Sequence, residues 1–150
     1  SLSWDDVARI KDEWGGKLII KGIMEPEDAE AAVKSGADAI VVSNHGGRQL
    51  DGAPSSIRAL PRIVSAVGND IEVWMDGGIR SGQDILRAWA LGARGVLIGR
   101  AYIYGLGAYG EAGVTRALEI LYNEMDITMA FTGHRNIQTV TRDILVEGTY

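Results

Sequence analysis

Two periodicities alternate along this chain. Trp4, Val7, Ile10 and Trp14 recur as one face of a helix, and Ser3 with Asp6 three positions later reads as a capping box, predicting an amphipathic helix over residues 3–14 ended by Gly15-Gly16. Lys17-Leu18-Ile19-Ile20-Lys21-Gly22 reads as a first strand, after which Pro26 opens an alanine-rich helix closed by Gly36. Ala39-Ile40-Val41-Val42 contains no polar residue and reads as a strand buried on both faces. Residues 54–67 carry Ile57, Leu60, Ile63, Val64 and Val67 at helical spacing, with Pro61 predicting a kink or a late start. A third strand is expected over 71–75, a helix over 81–91 stopped by Gly92, and a fourth strand over 95–98. Residues 102–113 are rich in glycine and tyrosine, residues 114–130 have the period of a long helix, and 136–145 read as a short helical tail. The four tryptophans, Trp4, Trp14, Trp74 and Trp89, are expected to pack.

Four strand–helix units with apolar strands predict an α/β chain with a parallel sheet and right-handed crossovers, and no linker divides it. Such units fit an open doubly wound sheet or half of an eight-stranded barrel. The last two strands end on Asp76-Gly77-Gly78-Ile79-Arg80 and on Gly99-Arg100, where glycine amides can face an anion and each arginine can pair with it. Barrels commonly build a phosphate site from the loops after their seventh and eighth strands. The four strands are therefore read as the fifth to eighth of a (β/α)8 barrel. A half barrel exposes two sheet edges, and the absent half is the preferred cover. A start without methionine, directly in a helix, agrees with a piece of something larger.

Composition narrows the function classes. Fifteen Lys and Arg against 20 Asp and Glu leave a net charge of −5, which disfavours a nucleic-acid partner, so any functional cation acts locally. The chain has no cysteine, which removes disulfides, thiolate nucleophiles and Cys-ligated zinc and suits a reducing compartment. No apolar run is long enough to cross a bilayer, and residues 1–14 are amphipathic rather than a signal peptide, which reads as a soluble segment. No metal site is expected.

The loop Ser43-Asn44-His45-Gly46-Gly47-Arg48 follows the fully apolar strand, at the strand end where parallel α/β proteins place their chemistry. Gly46 and Gly47 remove bulk beside the imidazole, so His45 is expected at the floor of a pocket. A neutral imidazole can accept a proton near neutral pH, and the planar guanidinium of Arg48 suits a carboxylate.

In order, the segments LIIKGI, IVVSNHGGRQLDG, DGGIRSGQD, ALGARGVLIGR and YGLGAYGEAGV resemble the carboxyl-terminal half of the FMN-dependent 2-hydroxy acid oxidases and dehydrogenases, nearest the L-lactate dehydrogenase branch, with mandelate dehydrogenase and glycolate oxidase as relatives. The resemblance implies strands 5 to 8 of an FMN-binding (β/α)8 TIM barrel that oxidises a lactate-like or mandelate-like L-2-hydroxy acid to the 2-oxo acid, with hydride passing to flavin N5. It implies His45 as the base and Arg48 as the substrate-carboxylate clamp. It places Lys21 beside the N1 and O2 edge of the flavin and Ser43 in hydrogen bonding to it. Asp76, Gly77, Gly78, Ile79, Arg80, Gly99 and Arg100 fall to the ribityl and phosphate pocket. The family's catalytic aspartate and substrate-binding tyrosines belong to an amino-terminal half that these residues do not include, so the 150 residues alone are expected not to turn over and to need that half as partner. A homo-oligomer, a tetramer by resemblance, is also implied. The tyrosines from Tyr102 to Tyr109, with no basic residue between them, read as lining a subunit contact and not as a stacking platform for bases. The implied location is the cytoplasm, or the inner membrane face if the acceptor is a quinone; oxygen and a cytochrome are the other acceptors open. Trp89 and His134 depart from the family pattern and receive no role. The alternative is a non-catalytic half-barrel module that binds FMN or phosphate or self-associates.

Overall fold

The computed structural model describes residues 2–150. Helix α1, Trp4–Trp14, starts on the expected capping box: the Ser3 hydroxyl accepts from the Asp6 amide, and the Asp6 carboxylate accepts from the Ser3 amide at 2.9 Å. Gly15 ends it in the left-handed conformation that only glycine adopts without strain. Strands β1 (Ile19–Ile23), β2 (Ala39–Val42), β3 (Glu72–Asp76) and β4 (Gly95–Leu97) alternate with helices α2 (Pro26–Lys34), α3 (Ser56–Val67) and α4 (Gly82–Ala90), and helix α5 (Arg100–Phe131) follows β4.

The strands are all parallel and lie in chain order, β1-β2-β3-β4. A doubly wound sheet reverses its order and takes helices on both faces. Here Ile40, Val42, Val73 and Met75 join Ala29, Ala32, Leu60, Ile63 and Ala88 of α2, α3 and α4 in one core, so these helices cover a single face. The alternating residues Lys21, Val41 and Trp74, in register across the strands, lie on the other face. That one-sided layering is what a section of a barrel requires. Strand β2 is buried throughout, as its sequence predicts.

The glycine- and tyrosine-rich residues 102–113 are helical, and α5 runs from Arg100 to Phe131 with a break at Tyr109 and Gly110, where φ is −143° and 58°. Three expectations need correction. Pro61 does not delay α3, which starts at Ser56 with the proline inside it. The tail contains two isolated 3-10 turns, Ile137–Thr139 and Arg142–Ile144, in place of a helix. Trp14 is 68% exposed, with its indole nitrogen donating to the Lys17 carbonyl at 3.2 Å, because it sits in the last turn of α1, clear of the sheet.

At the amino-terminal end of the sheet, Asp38 ties α1 to β1. Its carboxylate accepts from Lys11, from Lys17 at 2.7 Å and from the Leu18 amide at 2.8 Å. The Lys11 hydrogen bond first, then those of Lys17 and Leu18, hold the Asp38 carboxyl far below the ordinary carboxylate range. The unfolded chain therefore binds a proton there that the folded chain does not, so this contribution is complete above about pH 4 and is lost as pH falls below it. Asp38→Asn is expected to melt at a lower temperature at pH 7 and to lose less on going to pH 3. Melting curves of both proteins at the two pH values check this.

Candidate functional site

Because the strands are parallel, their carboxyl ends share one rim, and the candidate residues collect there. Lys21 near the end of β1 reaches across β2: its ammonium donates to the Ser43 hydroxyl at 2.9 Å and pairs with Asp76 Oδ2, at the end of β3, at 2.9 Å. Ser43 is fully buried, and the same hydroxyl oxygen accepts from the His45 amide at 3.1 Å. One serine thus joins the Lys21 ammonium to the backbone that carries the imidazole. The other oxygen of the carboxylate, Asp76 Oδ1, is buried with no hydrogen-bond partner. Such an orphaned acceptor is uncommon and calls for a donor from outside.

His45 begins a 3-10 turn, His45–Gly47, and is the sole non-glycine residue with positive φ, 55°, among those described. Strain of this kind persists where the surroundings over-determine it. Asn44 supplies part of that constraint: its side-chain oxygen accepts from the Gly46 amide at 3.0 Å and its amide nitrogen donates to the Pro54 carbonyl at 3.0 Å. Gly22 supplies the space. It interrupts the β1–β2 register, and a Cβ built on it would stand 2.8 Å from His45 Nε2. His45 is exposed and lines the cleft on this rim.

A cleft of about 610 Å³ opens on this rim and is lined by Lys21, His45, Arg48, Asp76, Gly77, Gly78, Ile79, Arg80, Gly99 and Arg100. These are all of the sequence-predicted site residues except Ser43, which lies beneath Lys21. Leu97, Ile98 and Ile103 give the lining an apolar side that the sequence motifs did not single out. Four cations face one carboxylate in a chain whose net charge is −5. Among the described residues, Arg48, Arg80 and Arg100 have no acidic partner. Their donors are free for anions.

The helices beginning at the two glycine-bearing loops differ. At α4, Asp84 Oδ2 accepts from the Arg80 and Ser81 amides at 3.1 and 3.0 Å, and Glu124 accepts from the Gly82 amide at 2.9 Å. Two carboxylates already occupy that terminus. At α5, Gly99 precedes the helix without a side-chain cap, and Arg100 lines the cleft. The positive end of α5 is the one open to a ligand.

A profile of the FMN-dependent dehydrogenases matches residues 1–147. The chain belongs to this family. It is 57% identical over 147 residues to an L-lactate dehydrogenase of Caulobacter vibrioides, covering 98% of this chain and 38% of that protein. It is 55% identical over 147 residues to an L-lactate dehydrogenase of Actinobacillus pleuropneumoniae, covering 98% of this chain and 39% of that one. Among solved structures, the monotopic membrane protein (S)-mandelate dehydrogenase superposes with a TM-score of 0.91 at 42% identity, covering 95% of this chain and 38% of that chain. Mandelate oxidase with benzoyl-formic acid superposes with a TM-score of 0.89 at 45% identity, covering 94% and 42%. The chain spans about two-fifths of the length of the curated relatives it matches. Among the described residues, no helix is long and apolar enough to cross a membrane.

The family's cofactor is FMN, and the residues present fit it. Arg80 and Arg100 beside the open end of α5 suit a phosphate, the orphaned Asp76 Oδ1 suits a ribityl hydroxyl, and the Lys21 ammonium suits an electron-rich ring edge.

Proposed function

We propose that these 150 residues are the carboxyl-terminal half, strands 5 to 8, of an FMN-dependent L-2-hydroxy acid dehydrogenase or oxidase acting on a lactate-like or mandelate-like substrate. The observation that carries the reading is the convergence of His45, Arg48, Lys21, Asp76, Arg80 and Arg100 on one cleft. Membership of the family and the names of its relatives support it. An amino-terminal half completes the barrel at the free edges of β1 and β4 and contributes the groups that these residues lack. On their own the 150 residues keep an anion seat and do not turn over. Assembly into a homo-oligomer through the exposed tyrosines Tyr104 and Tyr109 belongs to the same reading.

FMN, when bound, supplies the two-electron acceptor. Arg48 holds the substrate carboxylate through parallel hydrogen bonds, fixing the hydroxyl toward His45. His45 Nε2 takes the hydroxyl proton as the carbon is oxidised. The left-handed turn at 45 and the Ser43 bond to its amide hold the ring in place meanwhile. The Lys21 ammonium, kept at the rim by Ser43 and Asp76, stabilises negative charge that develops beside it.

The protein completed by its amino-terminal half and loaded with FMN is expected to be yellow and to bleach without oxygen on addition of L-lactate or L-mandelate. A colourless preparation that cannot be reconstituted with FMN, or a yellow one that no 2-hydroxy acid bleaches, contradicts the proposal.

A further inference from the structure

Helix α5 is a hairpin of two arms. Its break at Tyr109 and Gly110 folds residues 100–108 against residues 111–131, and the arms meet at two glycines. A Cβ on Gly113 would collide with the Gly105 carbonyl, and one on Gly105 would collide with the Gly113 carbonyl and stand 2.8 Å from its carbonyl carbon. In a straight helix, residues eight apart are separated by about 12 Å, so this contact reports close backbone packing between the arms. The long arm is fixed in the same manner to α4. A Cβ on Gly82 would collide with the Met125 amide nitrogen, and the Glu124 carboxylate accepts from the Gly82 amide at 2.9 Å. Gly82 follows the loop that bears Arg80, and the short arm starts at Arg100.

An unbroken series of backbone contacts therefore links the two arginines: Arg80 and Ser81 into Gly82, Gly82 onto 124–125, along the long arm to Gly113, across to Gly105, and back down the short arm to Arg100. Close-packed contacts of this kind have no slack, because an added methyl group displaces a backbone and not a movable side chain. We infer that Gly105, Gly113 and Glu124 are positioning residues that set the spacing between Arg80 and Arg100, and with it the fit of the cleft to a phosphate group. None of the three lines the cleft. The inference rests on the FMN reading of the cleft and adds to it the part of the molecule that gauges the phosphate seat.

The test compares FMN with riboflavin, which shares the ring and ribityl chain but lacks the phosphate. Dissociation constants are measured by quenching of flavin fluorescence in the protein completed by its amino-terminal half. Gly113→Ala and Gly105→Ala are each expected to weaken FMN roughly tenfold and riboflavin less than about twofold. Gly107→Ala, in the same arm with open space around it, is expected to change neither. Should both contact variants fail to fold, Glu124→Ala removes only the Gly82 hydrogen bond and is expected to weaken FMN about threefold with riboflavin unchanged. Folded variants that bind FMN as the parent does, or that lose FMN and riboflavin equally, overturn the inference while leaving the cleft assignment intact. A parent protein that binds riboflavin as well as FMN overturns both.

Discussion

His45→Gln is expected to slow reduction of the bound flavin by a 2-hydroxy acid by about 10²–10⁴-fold while leaving FMN in place. Glutamine keeps a polar side chain of similar reach but cannot take a proton at neutral pH, so the substitution removes the base and little else. His45 lines the cleft on the β2 loop, whereas the arginines suited to the phosphate come from the loops after β3 and β4. Rate and cofactor affinity should therefore separate. Stopped-flow traces of the bleaching reaction, with FMN occupancy measured on the same samples, check this. A variant that bleaches at the parent rate removes His45 from the chemistry. One that has lost its FMN shows that the histidine supports the cofactor instead.

Gly22→Ala should carry the second largest effect, and it acts without touching substrate. Gly22 has φ of 103°, a region that side-chain-bearing residues enter at a cost, and its missing Cβ is the space beside His45 Nε2. An alanine there forces either β1 or the imidazole to shift by several tenths of an ångström. A displacement approaching 1 Å at a reacting group reduces rate by about 10²-fold. Since the neighbouring Lys21 ammonium is held independently by Ser43 and Asp76, FMN affinity should fall far less than rate. The expected signature is a reduction rate about 10²-fold lower, with a near-normal dissociation constant for FMN. Equal loss of rate and of FMN would mean that Gly22 serves the strand and not the base.

Most of the fold is legible in the sequence because each element is marked locally: the Ser3 and Asp6 cap, Pro26 at the start of α2, the unbroken apolar run of β2, and Gly92 after α4. That the candidate residues collect at one rim was legible for a global reason. Parallel strands bring all their carboxyl ends to one rim, so motifs far apart in sequence meet without any need to foresee long-range contacts. What the sequence hid are features set by pairs of distant residues. The glycines of residues 102–113 serve the helical hairpin, and nothing local announces that Gly105 will meet Gly113. The Lys21–Asp76 pair bridges over β2, and neither residue's neighbours indicate it. Gly22 did carry a signal, a glycine within a strand pattern being a mark of a bulge or a close approach, but which group approaches it depends on the His45 turn. Of the two carboxylates at the start of α4, Asp84 belongs to a capping box as local as that at Ser3, while Glu124 arrives from α5, 42 residues away, and was hidden.

The central claim is that a single cleft seats the phosphate of FMN and presents His45 to the substrate. A crystal structure of the FMN-loaded protein, completed by its amino-terminal half, tests it most directly. The account predicts phosphate oxygens within hydrogen-bonding distance of Arg80 and Arg100, a ribityl hydroxyl donating to Asp76 Oδ1, and the imidazole of His45 facing the same cavity. A phosphate bound away from both arginines, with Asp76 Oδ1 still bare, would contradict it.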